Sequence, residues 1–202
     1  MRRRLVRRRR VQEDGVADAE DVRLLSAYVS GGDTEALSAL VERNAKWMLA
    51  MLRGLTANDS DAEDALQDAW RRVISAGGYR GGSARAYLAR VARSAAVDAF
   101  RRKGRELAVL DAPDEDGSTP VAELVDESPS ADEAFETKAT VEEIRSAVRA
   151  LPGAQRQVFM MRVEGQLAFR EIAEELGLPL GTVLTWMRRA TIALRKKLAR
   201  ET

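Results

Sequence analysis

Two short apolar stripes near the C-terminus, separated by glycine and proline, constrain the fold of this 202-residue chain more than any other feature. In FREIAEELGLPLGTVLTWMRRA (residues 169–190), apolar side chains recur at one-face helical spacing on both sides of Gly177-Leu178-Pro179. Two short amphipathic helices with a glycine-containing turn are typical of a helix-turn-helix, whose second helix enters a DNA major groove. An ordinary helical hairpin with a solvated basic face is the alternative.

The second helix of this unit offers polar groups on the side away from its apolar stripe. Thr185, Arg188 and Arg189 point outward on a helical wheel, with Thr182 near them. Hydroxyl and guanidinium groups in such a position suit contacts with phosphates and base edges.

Composition excludes several functional classes. The chain has no Cys and no His, which removes disulfide scaffolds, thiolate chemistry and the commonest general base and metal ligand. We therefore expect no catalytic residue, no metal site and no cofactor, and an enzyme is the least favoured class. Because no apolar run approaches the length of a membrane span, we expect a cytoplasmic protein.

Charge is segregated along the chain although the net charge is only +1. Residues 22–105 and 138–202 each carry a net charge of +5, whereas residues 106–137 carry −11. With helical periodicity and no sustained strand alternation, this predicts an all-α protein of two small helical domains joined by a flexible acidic linker. The expected divisions are a basic disordered tail (1–20), a bundle (21–103), the linker (104–137) and the helix-turn-helix domain (138–202).

Polar residues at fixed spacing predict where the helices of the bundle begin. Asp33 and Ser83 are expected to cap two of them, and Ser60 with Glu63 forms a capping box for the helix between. On that middle helix, Asp64, Gln67 and Asp68 share one outward ridge. The ridge is either a solvated face or a docking edge for a basic partner helix.

The next helix combines basic and aromatic side chains. Arg90, Arg93 and Arg101 line one side of it, and Tyr79 and Arg80 precede it between glycine pairs. This combination suits single-stranded nucleic acid, in which bases stack on rings and phosphates meet guanidinium groups. Core packing is the favoured role for the ring of Tyr87, and Asp98 and Arg102 are expected to form an i,i+4 pair.

Taken together, these motifs resemble the extracytoplasmic-function (ECF) group of bacterial RNA polymerase sigma factors. DAEDALQDAWRRVI resembles region 2.2, YLARVARSAAVDAFRR resembles regions 2.3 and 2.4, and residues 149–198 resemble region 4. The resemblance implies a protein that binds core RNA polymerase, through the β′ coiled coil and the β flap, and recognises promoter DNA. It is also compatible with an anti-sigma partner, and the acidic linker either enters a basic polymerase channel or is a plain tether.

The resemblance implies a role for each matching position. The residues implied in polymerase docking are Asp61, Asp64, Gln67, Asp68 and Arg71. Those implied in holding the −10 promoter strand are Tyr79, Arg80, Tyr87, Arg90, Arg93, Arg101 and Arg102. Those implied in reading the −35 element are Arg170, Thr182, Thr185, Trp186, Arg188 and Arg189. Pro179 stands where a capping Ser is frequent, so the recognition helix should lack a side-chain cap.

Two other functions remain open at this point. A stand-alone helix-turn-helix regulator would bind duplex DNA without polymerase, whereas a sigma factor would bind little until core enzyme is added. A helical adaptor would not contact DNA, so replacing Arg188 and Arg189 by Ala would change nothing on promoters.

Overall fold

The computed structural model describes residues 18–76, 78–102 and 140–199, and all regular structure in these ranges is α-helical. Within them lie eight helices: α1 (18–31), α2 (Thr34–Leu55), α3 (Asp59–Ala76), α4 (Ala84–Arg102), α5 (Val141–Arg149), α6 (Gly153–Val163), α7 (Phe169–Leu176) and α8 (Leu180–Leu198). We call α1–α4 the N-terminal module and α5–α8 the C-terminal module. The predicted all-α class is confirmed.

The predicted tail and linker fall almost entirely outside the described residues. The exception is residues 18–20, which were assigned to the tail but form the first turn of α1. Asp18 connects this turn to α4, because its carboxylate accepts hydrogen bonds from the Ser83 hydroxyl (3.2 Å) and the Arg85 amide (2.8 Å) at the start of that helix. This long-range contact has no signature in the local periodicity.

The N-terminal module is a bundle in which α3 and α4 approach each other through small side chains. Alanines on the facing sides of both helices are buried, including Ala65 and Ala69 on α3 and Ala92 on α4. Because alanine projects little beyond the backbone, the two helix axes approach closely and larger side chains fill the space towards α2. The fully buried larger residues there are Leu25, Leu40, Met48, Met51, Leu52 and Leu88.

Two of the three predicted helix caps in this module are confirmed and one is wrong. Asp33 accepts hydrogen bonds from the amides of Glu35 and Ala36, and Ser83 accepts one from the amide of Ala86. The cap of α3 is Asn58 rather than Ser60, since the Asn58 side-chain oxygen accepts from the Asp61 amide at 2.8 Å. Asn is as good an N-cap as Ser, so Asn58 can begin the helix two residues before the predicted cap.

The C-terminal module packs α6 and α7 against the long helix α8. Its buried centre combines Val158 and Met161 from α6, Ile172 from α7 and Val183 from α8. A capping box that sequence analysis missed starts α5: the Thr140 hydroxyl accepts from the Glu143 amide, and the Glu143 carboxylate accepts from the Thr140 amide. The predicted break at residues 151–153 is confirmed, because α6 begins at Gly153.

The two modules are in direct contact. Helix α2 packs on α5 and α6, and α4 packs on α7. At Gly54 the approach is so close that an added Cβ atom would clash with the side chain of Met160. None of the described helices has the length and apolarity needed to cross a membrane.

Candidate nucleic-acid interface

The acidic ridge of α3 presents only some of its predicted residues to solvent. Asp64 and Gln67 are exposed, whereas Asp68 is half-buried and Asp61 is only 8% exposed. Asp61 lies in the first turn of α3, where its amide is held by the cap. Fewer residues are therefore exposed to a partner than the sequence predicted.

Asp68 is held by two arginines of the same module. Arg102 donates to one carboxylate oxygen at 2.7 Å, and Arg71 donates to the other. The hydrogen bond from Arg102 is the main reason why the pKa of Asp68 lies below its ordinary value, and the charges of Arg102 and Arg71 act in the same direction. Arg71 also donates to the Gln67 side-chain oxygen at 3.2 Å, so three of the five predicted polymerase-docking residues (Gln67, Asp68 and Arg71) form one hydrogen-bonded group.

The predicted pair between Asp98 and Arg102 does not form, because each residue has a partner on α3. Asp98 accepts from Arg72 at 2.8 Å, and the same guanidinium donates to the Ser94 hydroxyl at 2.9 Å. Arg72 thus fastens α3 to α4. Local i,i+4 spacing misled the prediction, since a neighbouring helix supplied a better placed cation.

The loop before α4 places Tyr79 in the core, where it meets Tyr87 of α4. Tyr79 is 8% exposed, its hydroxyl donates to the Gly82 carbonyl at 2.6 Å, and its ring meets the edge of Tyr87 with centroids 5.4 Å apart. Burial raises the pKa of both phenols. Gly81 and Gly82 adopt positive φ angles of 96° and 91°, conformations that favour glycine. Arg80 and the glycine backbone are consequently the exposed parts of this loop.

The arginines of α4 divide into two groups. Arg101 and Arg102 are exposed at the end of the helix, with Arg102 turned towards Asp68. Arg90 and Arg93 lie on the side that meets the C-terminal module. The guanidinium of Arg90 lies over the ring of Tyr87, 5.5 Å from its centroid, which is a cation–π arrangement.

The helix-turn-helix has the predicted construction. Gly177 ends α7 in a left-handed conformation (φ 65°, ψ 32°), and the Leu178 amide returns to the Ala173 carbonyl at 2.9 Å. Pro179 precedes α8 without a side-chain cap, as predicted. The Thr185 hydroxyl donates to the Gly181 carbonyl at 2.8 Å, which fixes its rotamer.

The remaining groove-facing residues differ in exposure. Arg170 on α7 and Arg188 on α8 are exposed, and Thr182 and Arg189 are half-buried. Trp186 is only 3% exposed, so its indole belongs to the packing of the module and we do not retain it as a groove contact. On a helix with apolar groups at positions 183, 187 and 190, residue 186 lies at the edge of the stripe, so helical spacing alone did not predict that Trp186 is buried.

Sequence analysis missed Arg85 altogether. Its guanidinium lies over the Trp47 ring, 4.3 Å from the centroid, and donates to main-chain oxygens of the C-terminal module. In the sequence it was one more arginine in a basic segment. Only the position of the C-terminal module distinguishes Arg85 from the other arginines of this segment.

These features define a class: an all-helical protein with one module carrying an acidic ridge and a basic helix, and a second carrying a helix-turn-helix. The family model described as Sigma-70 region 2 matches residues 40–106, and the model described as Sigma-70, region 4 matches residues 141–194. Together the two matches cover more than half of the chain. The chain belongs to the sigma-70 family, in its ECF group.

Curated relatives align with this chain over most of their length. The chain is 27% identical to the ECF RNA polymerase sigma factor SigE of Mycolicibacterium smegmatis, over 93% of this chain and 72% of the relative. It is 26% identical to SigW of Bacillus subtilis (84% and 92% covered) and 29% identical to SigM of Mycobacterium tuberculosis (91% and 87%).

Two solved structures share the fold. One is CnrH in complex with the cytosolic domain of CnrY, with a TM-score of 0.63, 19% identity and coverage of 91% of this chain and 99% of that one. The other is the sigma factor RpoE from Bartonella quintana in complex with the anti-sigma factor NepR, with a TM-score of 0.58, 21% identity and coverage of 81% and 96%.

The protein is therefore a sigma factor, a transcription initiation factor that binds core RNA polymerase and directs it to promoter DNA. This excludes the alternative of a stand-alone regulator. In the ranges 18–76, 78–102 and 140–199, no group of three or more acidic, His or Cys side chains is placed to hold a metal ion.

Proposed function

We propose that the N-terminal module docks on core polymerase through the exposed end of the acidic ridge and holds the opened −10 strand on α4. Asp64, Gln67 and Asp68 face the β′ coiled coil in this proposal, with Arg71 orienting the last of them. The observation that carries it is the proximity of the two surfaces. Arg102 joins Asp68 at 2.7 Å, which links the docking ridge directly to the strand-binding helix.

The strand-binding surface consists of the exposed loop and the arginines of α4. Arg80 and the glycine backbone receive an extruded base, and Arg90, Arg93, Arg101 and Arg102 bind the phosphates. Extrusion costs a few kcal/mol, which phosphate contacts and stacking offset without ATP. Tyr79 and Tyr87 support the loop from below rather than stack on bases, since both rings are buried.

The C-terminal module reads the −35 duplex with α8. Arg188 and Arg189 contact phosphates or base edges, Thr182 and Thr185 line the entry to the groove, and Arg170 of α7 reaches the adjacent backbone. The same module contacts the β flap. We further propose that the protein acts in the cytoplasm, where its polymerase is, and that it has no catalytic activity of its own.

A protein inhibitor is a further proposed partner. Both structural neighbours are complexes, one with the anti-sigma factor NepR and one with CnrY. We propose that this chain has a regulator of the same kind.

Gel filtration and run-off transcription with purified core polymerase test the docking proposal. We expect Asp64→Ala to reduce co-elution with core enzyme and the amount of run-off transcript together. Glu63→Gln is the matched control, because Glu63 is an exposed carboxylate on the same helical turn but about 100° around the axis. Equal loss in both variants, or in neither, would contradict a docking role for the ridge.

A further inference from the structure

The second turn of α8 places a leucine at the edge of the face that is proposed to enter the −35 groove. Leu184 is half-exposed. In the part of the chain that the structure describes, Leu178 and Leu180 pack against the buried centre of the module, and Leu184 is not among the residues that do so. At about 100° per residue, Leu184 lies about 40° around the helix axis from the exposed Arg188 and one turn nearer the start of α8. Leu184 and Arg188 therefore belong to the same side of the helix.

The two groove-facing positions nearest to Leu184 provide no side-chain hydrogen-bond donor. Gly181 has no side chain, and the Thr185 hydroxyl donates its only proton to the Gly181 carbonyl at 2.8 Å. The Thr185 oxygen can still accept, but an acceptor on a base edge would find no donor there. Residues near the start of a recognition helix are the ones that contact base edges. At this point of α8, bases must therefore be distinguished by something other than donation from these side chains.

Thymine is the base that an apolar side chain can select in the major groove. Its C5-methyl group is the apolar group that base edges display there, whereas the edges of the other bases display donors and acceptors. A leucine packed on this methyl group removes apolar surface from water. The same leucine against a cytosine amino group would take a donor out of water without replacing its hydrogen bond. Contact with Leu184 consequently favours thymine over cytosine.

We propose that Leu184 is a specificity-determining residue, which recognises the C5-methyl group of a thymine in the −35 element. The contact adds selection of one base to a helix whose arginines bind phosphates or base edges. The proposal rests on the proposed insertion of α8 into the −35 groove.

Replacing thymine by deoxyuridine tests this contact, because the replacement removes the methyl group and leaves base pairing unchanged. The probe is a fluorescent promoter fragment, recovered from genomic DNA by run-off transcription with the holoenzyme. Each thymine of its −35 region, on either strand, is replaced singly, and the Kd of the holoenzyme is measured by anisotropy. The readout is the ratio of the Kd for deoxyuridine to the Kd for thymine. A variant that folds or binds polymerase less well changes both values alike and leaves the ratio as it was.

We expect one thymine position at which this ratio is roughly four in the parent holoenzyme, the size expected for one buried methyl group. Leu184→Ala should bring the ratio close to one, and Leu184→Met, which keeps an apolar side chain, should preserve most of it. Ile192→Ala is the matched control, because Ile192 is an apolar residue of the same helix that is 55% exposed. It lies about two turns further along α8, so its truncation should leave the ratio unchanged.

A methyl group that is added rather than removed gives an independent check. With cytosine in place of the responding thymine, 5-methylcytosine should bind the parent holoenzyme more tightly than cytosine does. The Leu184→Ala holoenzyme should bind both fragments equally.

The outcomes separate this contact from the proposed −35 role of α8. Methyl recognition by Leu184 is wrong if Arg188→Ala weakens binding but no thymine responds to deoxyuridine. It is also wrong if Leu184→Ala keeps the parent ratio, or if Ile192→Ala lowers the ratio as much. If neither Arg188→Ala nor any replacement in the −35 region changes the Kd, the proposed −35 role of α8 fails instead.

Discussion

Replacing Gly177 by alanine should destabilise the helix-turn-helix by an amount that the structure allows us to work out. Gly177 has φ 65° and ψ 32°, and nothing lies within 4 Å of an added Cβ. The cost is therefore backbone strain alone, about 1–2 kcal/mol for an L-residue in the left-handed region. For a protein of this size that corresponds to a fall in Tm of about 2–8 °C.

Thermal unfolding followed by circular dichroism checks this value. Gly177→Asn should lower the Tm by roughly half as much as Gly177→Ala, because asparagine tolerates the left-handed conformation. Gly31→Ala, where φ is ordinary and space is open, should be neutral or slightly stabilising. The reasoning is refuted if Gly177→Ala unfolds at the parent temperature, or if the control falls by as much.

Three further predictions concern charged residues. The Asp68 carboxyl should titrate below the ordinary range for Asp in ¹³C NMR, and Arg102→Ala should raise its pKa. Because folding lowers this pKa, the pair of Asp68 and Arg102 stabilises the module at neutral pH, and the stabilisation is lost as the pH falls through the pKa of the folded state. Arg188→Ala should reduce the salt slope of holoenzyme binding to a promoter fragment by about 0.9, with Lys196→Ala, on the last turn of α8, leaving it unchanged. With spin labels attached through Glu63→Cys and Ala193→Cys, one on each module, Arg85→Met should broaden the distribution of label distances. Arg85→Lys should broaden it less, although a single ammonium cannot fully reproduce two donors to separate carbonyls.

Most of the features that the sequence predicted correctly depend on interactions that are local along the chain. Helical periodicity predicted the fold class, and Gly177 with Pro179 predicted the turn of the helix-turn-helix. Asp33 and Ser83 were correctly predicted as N-caps. Each of these features depends on residues within about four positions of one another. The cap of α3 is an exception, because the interaction is local but Ser60 was predicted where Asn58 caps the helix.

Long-range contacts account for what the sequence could not predict. The partner of Asp98 is 26 positions away on α3, and the partners of Arg85 lie in the other module. Tyr79 was expected at a nucleic-acid surface because it stands beside an arginine in a glycine-rich loop. Its burial depends on contact with the ring of Tyr87, and helical periodicity alone does not predict that contact.

The hydrogen bond between Arg102 and Asp68 gives a physical reason to expect that the two proposed functions of the N-terminal module are coupled. Arg102 is proposed to hold the −10 strand, and Asp68, which accepts from it at 2.7 Å, is proposed to face polymerase. A basic polymerase helix that engages Asp68 should weaken this hydrogen bond and make Arg102 available for phosphate. By linkage, a strand that binds Arg102 should in turn change the affinity of Asp68 for polymerase.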